Sequence, residues 1–285
     1  MKYLFSIIAI LMSLTSYSSY RDHLDFSFVS MGTVWKVRIG SQKKSFDTKQ
    51  VKYQLIETAN RYDETFSSWS SKSELRSIEK MGMDTLICPS SLFLKGLRLA
   101  QQAYELSNKK FDITLGGENK GLSLMGSPME SLRLKSQAKC FYFGRKVDSL
   151  TFAGLVKGMC LGKMATWLYE VGFKSFVINA GNGNIVIAGD EKKSSLASLE
   201  LDTASRVIYF VSNSYTIQSH TKNSFQHIKD PTNPLAPLLS QTQLVCAADI
   251  SSRKTWYEIG AISDALSTAL SVDPNIVLPT YCARY

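Results

Sequence analysis

Cysteine is scarce in this chain, and its spacing excludes two classes of small protein. Five cysteines stand at positions 88, 140, 160, 246 and 282 of 285 residues. They are too few and too widely spaced for a disulfide framework or a zinc site. An odd number leaves at least one thiol free even if the others pair. Cys160 and Cys246 lie in apolar contexts, and we expect both to be plain core residues.

Long apolar runs are also lacking, except at the start of the chain. Residues 3–14 are largely apolar, with Lys2 before them and small serines after them. This pattern predicts a signal peptide over residues 1–18 and an exported mature chain over residues 19–285. An uncleaved membrane anchor is the alternative. No cysteine closely follows the run, so a lipid-anchored precursor is not supported, and no later stretch is apolar enough to cross a membrane.

Concentrated basic charge is absent too. The formal net charge of +9 could serve a nucleic acid, a membrane surface or an anionic nucleotide. The lysines are scattered in short pairs, without the basic stripe of a nucleic-acid groove, so we expect no nucleic-acid partner. The glycine-rich residues 179–184 lack the spacing of a P-loop or a dinucleotide fingerprint. They could form a plain hairpin or present backbone N–H groups to phosphate.

Short strands and helices alternate along the mature chain. Apolar alternation predicts extended structure over 26–39 with a break at 30–33, and a helical period predicts helices over 48–66 and from Pro89. Next come a helix ending at Gly172, strands at 176–178 and 185–187, strands at 206–211 and 244–247, a helix over 258–270 and a tail over 275–285. This order predicts an α/β or α+β fold. No internal repeat or flexible linker divides it.

The last helix carries a candidate metal site. Asp264 and Thr268 stand four residues apart, so they lie on one helical face, among apolar neighbours. A carboxylate on so apolar a stretch needs a partner. Two oxygen ligands in one turn suit a hard cation such as magnesium, which substrate phosphate and water complete. The alternative is that Asp264 hydrogen-bonds within the core or caps the helix to which it belongs.

Seven short motifs, taken in order, resemble those of the ApbE family of FAD:protein FMN transferases. They are Met31-Gly-Thr33, Thr65-Phe-Ser-Ser-Trp69 with Ser73-Glu74, Phe111-Asp-Ile-Thr114, Gly154-Leu-Val-Lys-Gly158, Asn179-Ala-Gly181, His227-Ile-Lys-Asp-Pro231 and Ser263-Asp-Ala-Leu-Ser-Thr-Ala-Leu270. Each motif alone carries little information. Their common order over residues 31–270, after an export leader, is specific.

The resemblance implies an architecture and a reaction. The architecture is an α+β fold with mixed sheets and packed helices. It is ApbE-like and related to the T-fold, with a crevice for FAD between subdomains. The reaction is the magnesium-dependent transfer of the FMN half of FAD to a Thr or Ser hydroxyl of a target redox protein. It forms a phosphoester and releases AMP, and some members of the family also hydrolyse FAD.

The resemblance also implies roles for individual residues. Asp264 and Thr268 would bind Mg²⁺ through side-chain oxygens, and Gly154 would add its backbone carbonyl. His227 would help to deprotonate the acceptor hydroxyl. The residues that fall at the family's FAD contacts are Met31, Trp69, Lys110, Phe111, Asp112, Thr151, Lys157 and Ile228.

Several positions depart from the family's pattern. The family usually has Asp where Thr151 and Gly162 stand, and its pair of glycines after Asn-Ala is interrupted here by Asn182. The runs at 116–118 and 232–233 also differ. Asn tolerates the left-handed conformation that Gly supplies. The retained Asp264, Thr268 and His227 favour an active enzyme over a relic.

Three hypotheses follow for the function. The first is a periplasmic, magnesium-dependent flavin transferase that acts on a membrane-associated redox subunit, either free in the periplasm or attached peripherally to the inner membrane. The second is an exported FAD-binding protein without turnover. The third is a magnesium-dependent FAD pyrophosphatase that yields FMN and AMP.

Overall fold

The computed structural model describes residues 23–40, 47–115, 127–135, 137–181, 183–189, 207–215 and 241–284. The predicted signal peptide and two predicted site residues, His227 and Ile228, lie outside these described residues. Within the described ranges, no helix has both the length and the apolar character needed to cross a membrane.

A seven-stranded antiparallel sheet forms the centre of the fold, and its strand order is β1-β2-β5-β6-β7-β8-β9. A separate antiparallel pair joins β3 to β4. The strands are β1 Leu24–Ser30, β2 Thr33–Ile39, β3 Leu132–Lys135, β4 Cys140–Phe143, β5 Phe176–Ala180, β6 Asn184–Ala188, β7 Val207–Tyr215, β8 Gln241–Asp249 and β9 Cys282–Arg284. With the helices packed on it, this sheet confirms the predicted α+β class.

Five α-helices lie in the described residues. They are α1 Thr48–Phe66, α2 Glu74–Met81, α3 Ser91–Leu106, α4 Val156–Glu170 and α5 Trp256–Val272, with short 3₁₀ turns at Ile113–Leu115, Pro128–Ser131 and Ile250–Thr255. The predicted period of α1 is confirmed, because its apolar positions are buried. Helix α2 was not predicted: the Ser73 hydroxyl accepts a hydrogen bond from the Arg76 N–H, so this serine caps a helix.

The first two strands form a hairpin with a two-residue turn. Ser30 pairs with Thr33, which leaves only Met31 and Gly32 between the strands. Their φ angles are +50° and +69°, so both lie in the left-handed region that a type I′ turn requires. The predicted break at 30–33 is thus a tight turn, and its twist suits the strands that it joins.

Helices α4 and α5 approach each other until their backbones touch. A Cβ added at Gly158 would overlap the carbonyl oxygen of Gly260, and one added at Gly260 would overlap the carbonyl oxygen of Gly158. One turn further along α4, a Cβ at Gly162 would overlap the carbonyl of Trp256 and the Cα of Tyr257. Glycine is therefore required at these positions, because only glycine lets two helices pack so closely.

The cysteines correct the sequence analysis. Cys88 is bonded to Cys140, and Cys246 to Cys282, across 52 and 36 residues of sequence. Cys246 is therefore not a plain core residue, and the predicted tail contains strand β9. The physical reason is strand pairing, which sets Cys246 directly opposite Cys282 although they are distant in sequence. Cys160 is free and buried, as expected.

The close approach of α4 and α5 predicts the effect of Gly162→Ala. Alanine favours a helix interior by about 1 kcal/mol over glycine, but overpacking a dense contact costs about 1–3 kcal/mol. Because the added methyl group meets backbone, we expect the overpacking to prevail and the free energy of unfolding to fall. Urea unfolding measures the change. Gly144→Ala is the control, because its added Cβ would contact only Ser131, at 3.6 Å; equal effects of both substitutions would refute the packing argument.

Candidate functional site

An open cleft of about 440 Å³ lies where the hairpin turn meets α1 and α4. The turn contributes Met31 and Gly32, and the end of α1 with the loop behind it contributes Phe66 and Trp69. The start of α4 contributes Lys157. The cleft thus combines apolar and aromatic walls with one cationic side chain, Lys157, and one anionic side chain, Asp63. Its aromatic wall suits a ligand with a ring system, and Lys157 suits a phosphate.

The indole of Trp69 stands at the rim of this cleft and is 95% exposed. Its loop is nevertheless braced. The Ser73 hydroxyl donates to the carbonyl oxygen of Ser67 at 2.7 Å, and the Arg76 Nε donates to that of Ser68 at 2.8 Å. A fixed loop holds the large apolar ring in solvent, where it is available for stacking on an aromatic ligand.

Asp264 lies at the N-terminus of α4 although it belongs to α5. Its side chain is buried, and its Oδ2 accepts a hydrogen bond from the Gly158 N–H at 3.0 Å. Leu155, which precedes α4, provides no side-chain cap. Asp264 therefore caps α4 from outside, where the helix dipole favours a negative charge. The alternative drawn from the sequence, a hydrogen bond within the core, is present in the structure, but the helix that Asp264 caps is α4 and not its own.

The other two predicted metal ligands, Gly154 and Thr268, adjoin each other. A Cβ added at Gly154 would stand 2.7 Å from the Thr268 Oγ1, so the Gly154 backbone and the Thr268 hydroxyl adjoin. That hydroxyl donates to the backbone carbonyl of Asp264 at 3.2 Å. The Thr268 hydroxyl and the Gly154 peptide unit are thus adjacent, and the Asp264 carboxylate stands one helical turn before Thr268 on the same face of α5.

Burial raises the pKa of Asp264, while the nearby Lys157 ammonium and the N–H of Gly158 oppose the rise. The ionised carboxylate is thus costly in the folded chain, and a bound cation would relieve this cost. The available donors are oxygen atoms, which Mg²⁺ prefers. Among the described residues, no three His, Cys, Asp or Glu side chains cluster, so a cation held here would depend on hydroxyl and backbone oxygens beside a single carboxylate. The residues therefore fit magnesium.

Of the remaining predicted FAD contacts, Lys110, Phe111 and Asp112 lie on the segment that follows α3, and Thr151 lies shortly before Gly154. Phe111 packs against Gly154, because a Cβ added at Gly154 would lie 3.2 Å from the Phe111 ring. Thr151 is joined to this segment through its N–H, which donates to the Ile113 carbonyl at 2.7 Å. The Asp112 carboxylate accepts from the Thr114 N–H and hydroxyl and from Ser127, and thus builds a turn. The Lys110 N–H donates to the Ser107 carbonyl just after α3.

Two residues of this region were missed in the sequence. Tyr62 lines the cleft and is 5% exposed, and burial raises the pKa of its phenol. Asn184 begins β6, and its carboxamide lies near enough to Asp264 to oppose the rise of the pKa of that acid. Its signal is its position at the end of the glycine-rich turn, directly before an apolar strand. Helical periodicity assigned Tyr62 only to the core.

Comparison with known proteins identifies similar molecules. A model of the ApbE family matches residues 31–275. A search of curated proteins by sequence finds no match.

Three solved structures share the fold at 16% sequence identity, and each alignment covers 88% of this chain. Flavin transferase ApbE from Vibrio cholerae is covered to 87% with a TM-score of 0.68. The apo form of the flavinyl transferase ApbE of Pseudomonas stutzeri is covered to 84% with a TM-score of 0.68. The ApbE protein of Thermotoga maritima is covered to 87% with a TM-score of 0.64.

The burial of Asp264 predicts a stability effect of Asp264→Asn. Because the folded state raises the pKa of this acid, it binds the proton more tightly than the unfolded state. The stability of the wild type therefore falls as pH rises from about 4 through the raised pKa. With EDTA at pH 7, we expect the variant to unfold at a higher temperature than the wild type.

Thermal unfolding from pH 4 to pH 7 tests this expectation. The difference between the two proteins should grow with pH, and added Mg²⁺ should stabilise only the wild type. A variant that is less stable than the wild type at pH 7 without metal would contradict the argument from burial.

Proposed function

This chain belongs to the ApbE family, and on that premise we propose that it is a magnesium-dependent flavin transferase. It transfers the FMN half of FAD to a Thr or Ser hydroxyl of a target redox protein and releases AMP. The observation that carries this proposal is the group of oxygen donors formed by Gly154, Asp264 and Thr268. This group adjoins the start of α4, which also forms a wall of the open cleft.

The positions of the side chains suggest which part of FAD each of them binds. The cleft offers Trp69 and Met31 to the flavin ring system, and Lys157 to the phosphates. When bound, magnesium would neutralise charge on the phosphoryl oxygens. Asp264 and Thr268 would hold it, and the cap of Asp264 on α4 keeps the carboxylate close to Lys157.

The proposed reaction forms one bond, breaks one bond and needs one base to accept a proton. The acceptor hydroxyl oxygen bonds to the phosphorus atom of the FMN half, and the bond from this phosphorus atom to the bridging oxygen breaks. AMP leaves with the bridging oxygen, and the hydroxyl proton passes to His227. A well-placed base contributes about 100-fold or more to such a step.

We also propose that the protein works outside the cytoplasm. Two disulfides support this location, because such bonds persist in oxidising compartments. The target would be a membrane-associated redox subunit that exposes its Thr or Ser to the periplasm. The transferase would reach it either as a free periplasmic protein or from the periplasmic face of the inner membrane.

The exposed indole predicts the effect of Trp69→Ala on FAD affinity. Stacking of a base on an aromatic side chain is worth about 1–3 kcal/mol, so we expect binding to weaken roughly tenfold or more. Titration of FAD fluorescence in EDTA measures affinity without turnover. The control is Tyr53→Ala, which removes an aromatic ring that is 66% exposed on α1 and does not line the cleft. Equal losses in both variants would argue against stacking on Trp69.

The assay of function combines the purified chain, FAD, Mg²⁺ and the soluble domain of a redox subunit with a flavinylation Thr. Covalent flavin fluorescence on this domain supports transfer. Release of AMP with free FMN would indicate hydrolysis instead, and retention of intact FAD would indicate binding alone. Asp264→Asn should be inactive in this assay, because it loses the charged metal ligand.

His227→Ala tests the role of the base in the same assay. We expect transfer to slow by about 100-fold with FAD affinity nearly unchanged, since a base acts on the acceptor proton and not on the flavin. His23→Ala, which changes an exposed histidine before β1, is the control. Unchanged transfer together with lost FAD affinity would assign His227 to binding.

A further inference from the structure

The side-chain oxygen of Asn184 is buried without a partner. Asn184 is 3% exposed, and no donor among the residues that the structure describes reaches its Oδ1. A buried acceptor without a hydrogen bond costs about 1–3 kcal/mol. Such a group in a folded protein calls for a partner from outside the described chain.

The position of Asn184 identifies the site to which this oxygen belongs. Asn184 pairs with Ser212 across β6 and β7, and the Ser212 hydroxyl lies 2.9 Å from the hydroxyl of Ser263, the residue before Asp264. The Asn184 carboxamide thus lies beside Asp264, and it helps to lower the pKa that burial raises. An ionised carboxylate only accepts, so the carboxamide nitrogen is the group of Asn184 that suits it. The unpaired Oδ1 belongs to the same planar group and therefore lies close to Asp264, which α4 holds from its other side through the Gly158 N–H.

The chemistry of the oxygen limits the kinds of partner that it can bind. An amide oxygen has lone pairs and no proton, so phosphate and carboxylate groups are excluded as partners. The neighbouring strand supplies no donor, because the hydroxyl of Ser212, which pairs with Asn184 across β6 and β7, is bonded to Ser263 at 2.9 Å. A hard cation accepts such an oxygen as a ligand, in the same way as it accepts carboxylate and hydroxyl oxygens.

We propose that Asn184 is a further oxygen ligand of the cation site, in addition to Gly154, Asp264 and Thr268. This inference rests on the proposed function only in that both need the cation. Asn184 connects the site to the central sheet, whereas Asp264 and Thr268 belong to α5 and Gly154 precedes α4. The cation would then be held by the sheet and by both helices that pack on it.

The test uses Mn²⁺ as the probe and the whole chain without FAD, with affinity read from the electron paramagnetic resonance signal of free Mn²⁺. We expect Asn184→Ala to weaken Mn²⁺ binding about tenfold, because one oxygen ligand is lost. Asn184→Asp keeps an oxygen but lacks the N–H donor to Asp264, and it should bind Mn²⁺ at least as tightly as the wild type. Ser212→Ala, the buried cross-strand neighbour, should stay within about twofold.

The outcomes decide between a ligand and a merely structural residue. If Asn184→Ala binds Mn²⁺ like the wild type, or if Asn184→Asp is as weak as Asn184→Ala, the oxygen is not a ligand and the inference is overturned. Thermal unfolding in EDTA establishes that the variants are folded. If the wild type does not bind Mn²⁺, the inference also fails. Lack of flavin transfer beside intact, Asn184-dependent Mn²⁺ binding would refute the proposed function alone.

Discussion

The backbone contact between α4 and α5 is the constraint on which the site depends. Gly158 and Gly260 let the two helices touch, and this approach brings the Asp264 carboxylate to the Gly158 N–H. A side chain at either glycine would separate the helices and remove the cap of α4. The packing of the core and the placement of the carboxylate thus have a single cause.

The cleft depends on a second kind of constraint, namely irregular segments that are held rigid. Met31 takes a left-handed conformation because the hairpin permits only two residues in its turn. Trp69 stays in solvent because Ser73 and Arg76 bind the loop around it. Both residues therefore line the cleft on fixed backbone segments, which would lower the entropy cost of binding a ligand there.

The sequence predicted the features of the structure that depend only on residues close together in the chain. Periodicity found α1, and the spacing of Asp264 and Thr268 found one face of α5, because both depend on helix geometry alone. The pairing of Cys246 with Cys282 could not be predicted, since it follows from which strands become neighbours. The position of the Asn184 oxygen beside Asp264 has the same origin, because it needs α5 to pack on β7 and β8, next to β6 in the sheet. Motif order supplied part of this missing information, because it indicates a known tertiary arrangement.

The contacts at positions 162 and 151, where this chain differs from the family's pattern, indicate whether these differences impair the enzyme. At position 162 the aspartate usual in the family would meet the backbone of Trp256 and Tyr257, so the glycine fits the close helix packing of this chain. At position 151 the Thr hydroxyl accepts from the Ala153 N–H at 3.4 Å, a turn contact of the type that an aspartate side chain also makes. Each change thus suits its structural setting, and neither removes an atom from the group around Asp264. The differences at positions 151 and 162 therefore reflect different packing around the same oxygen donors.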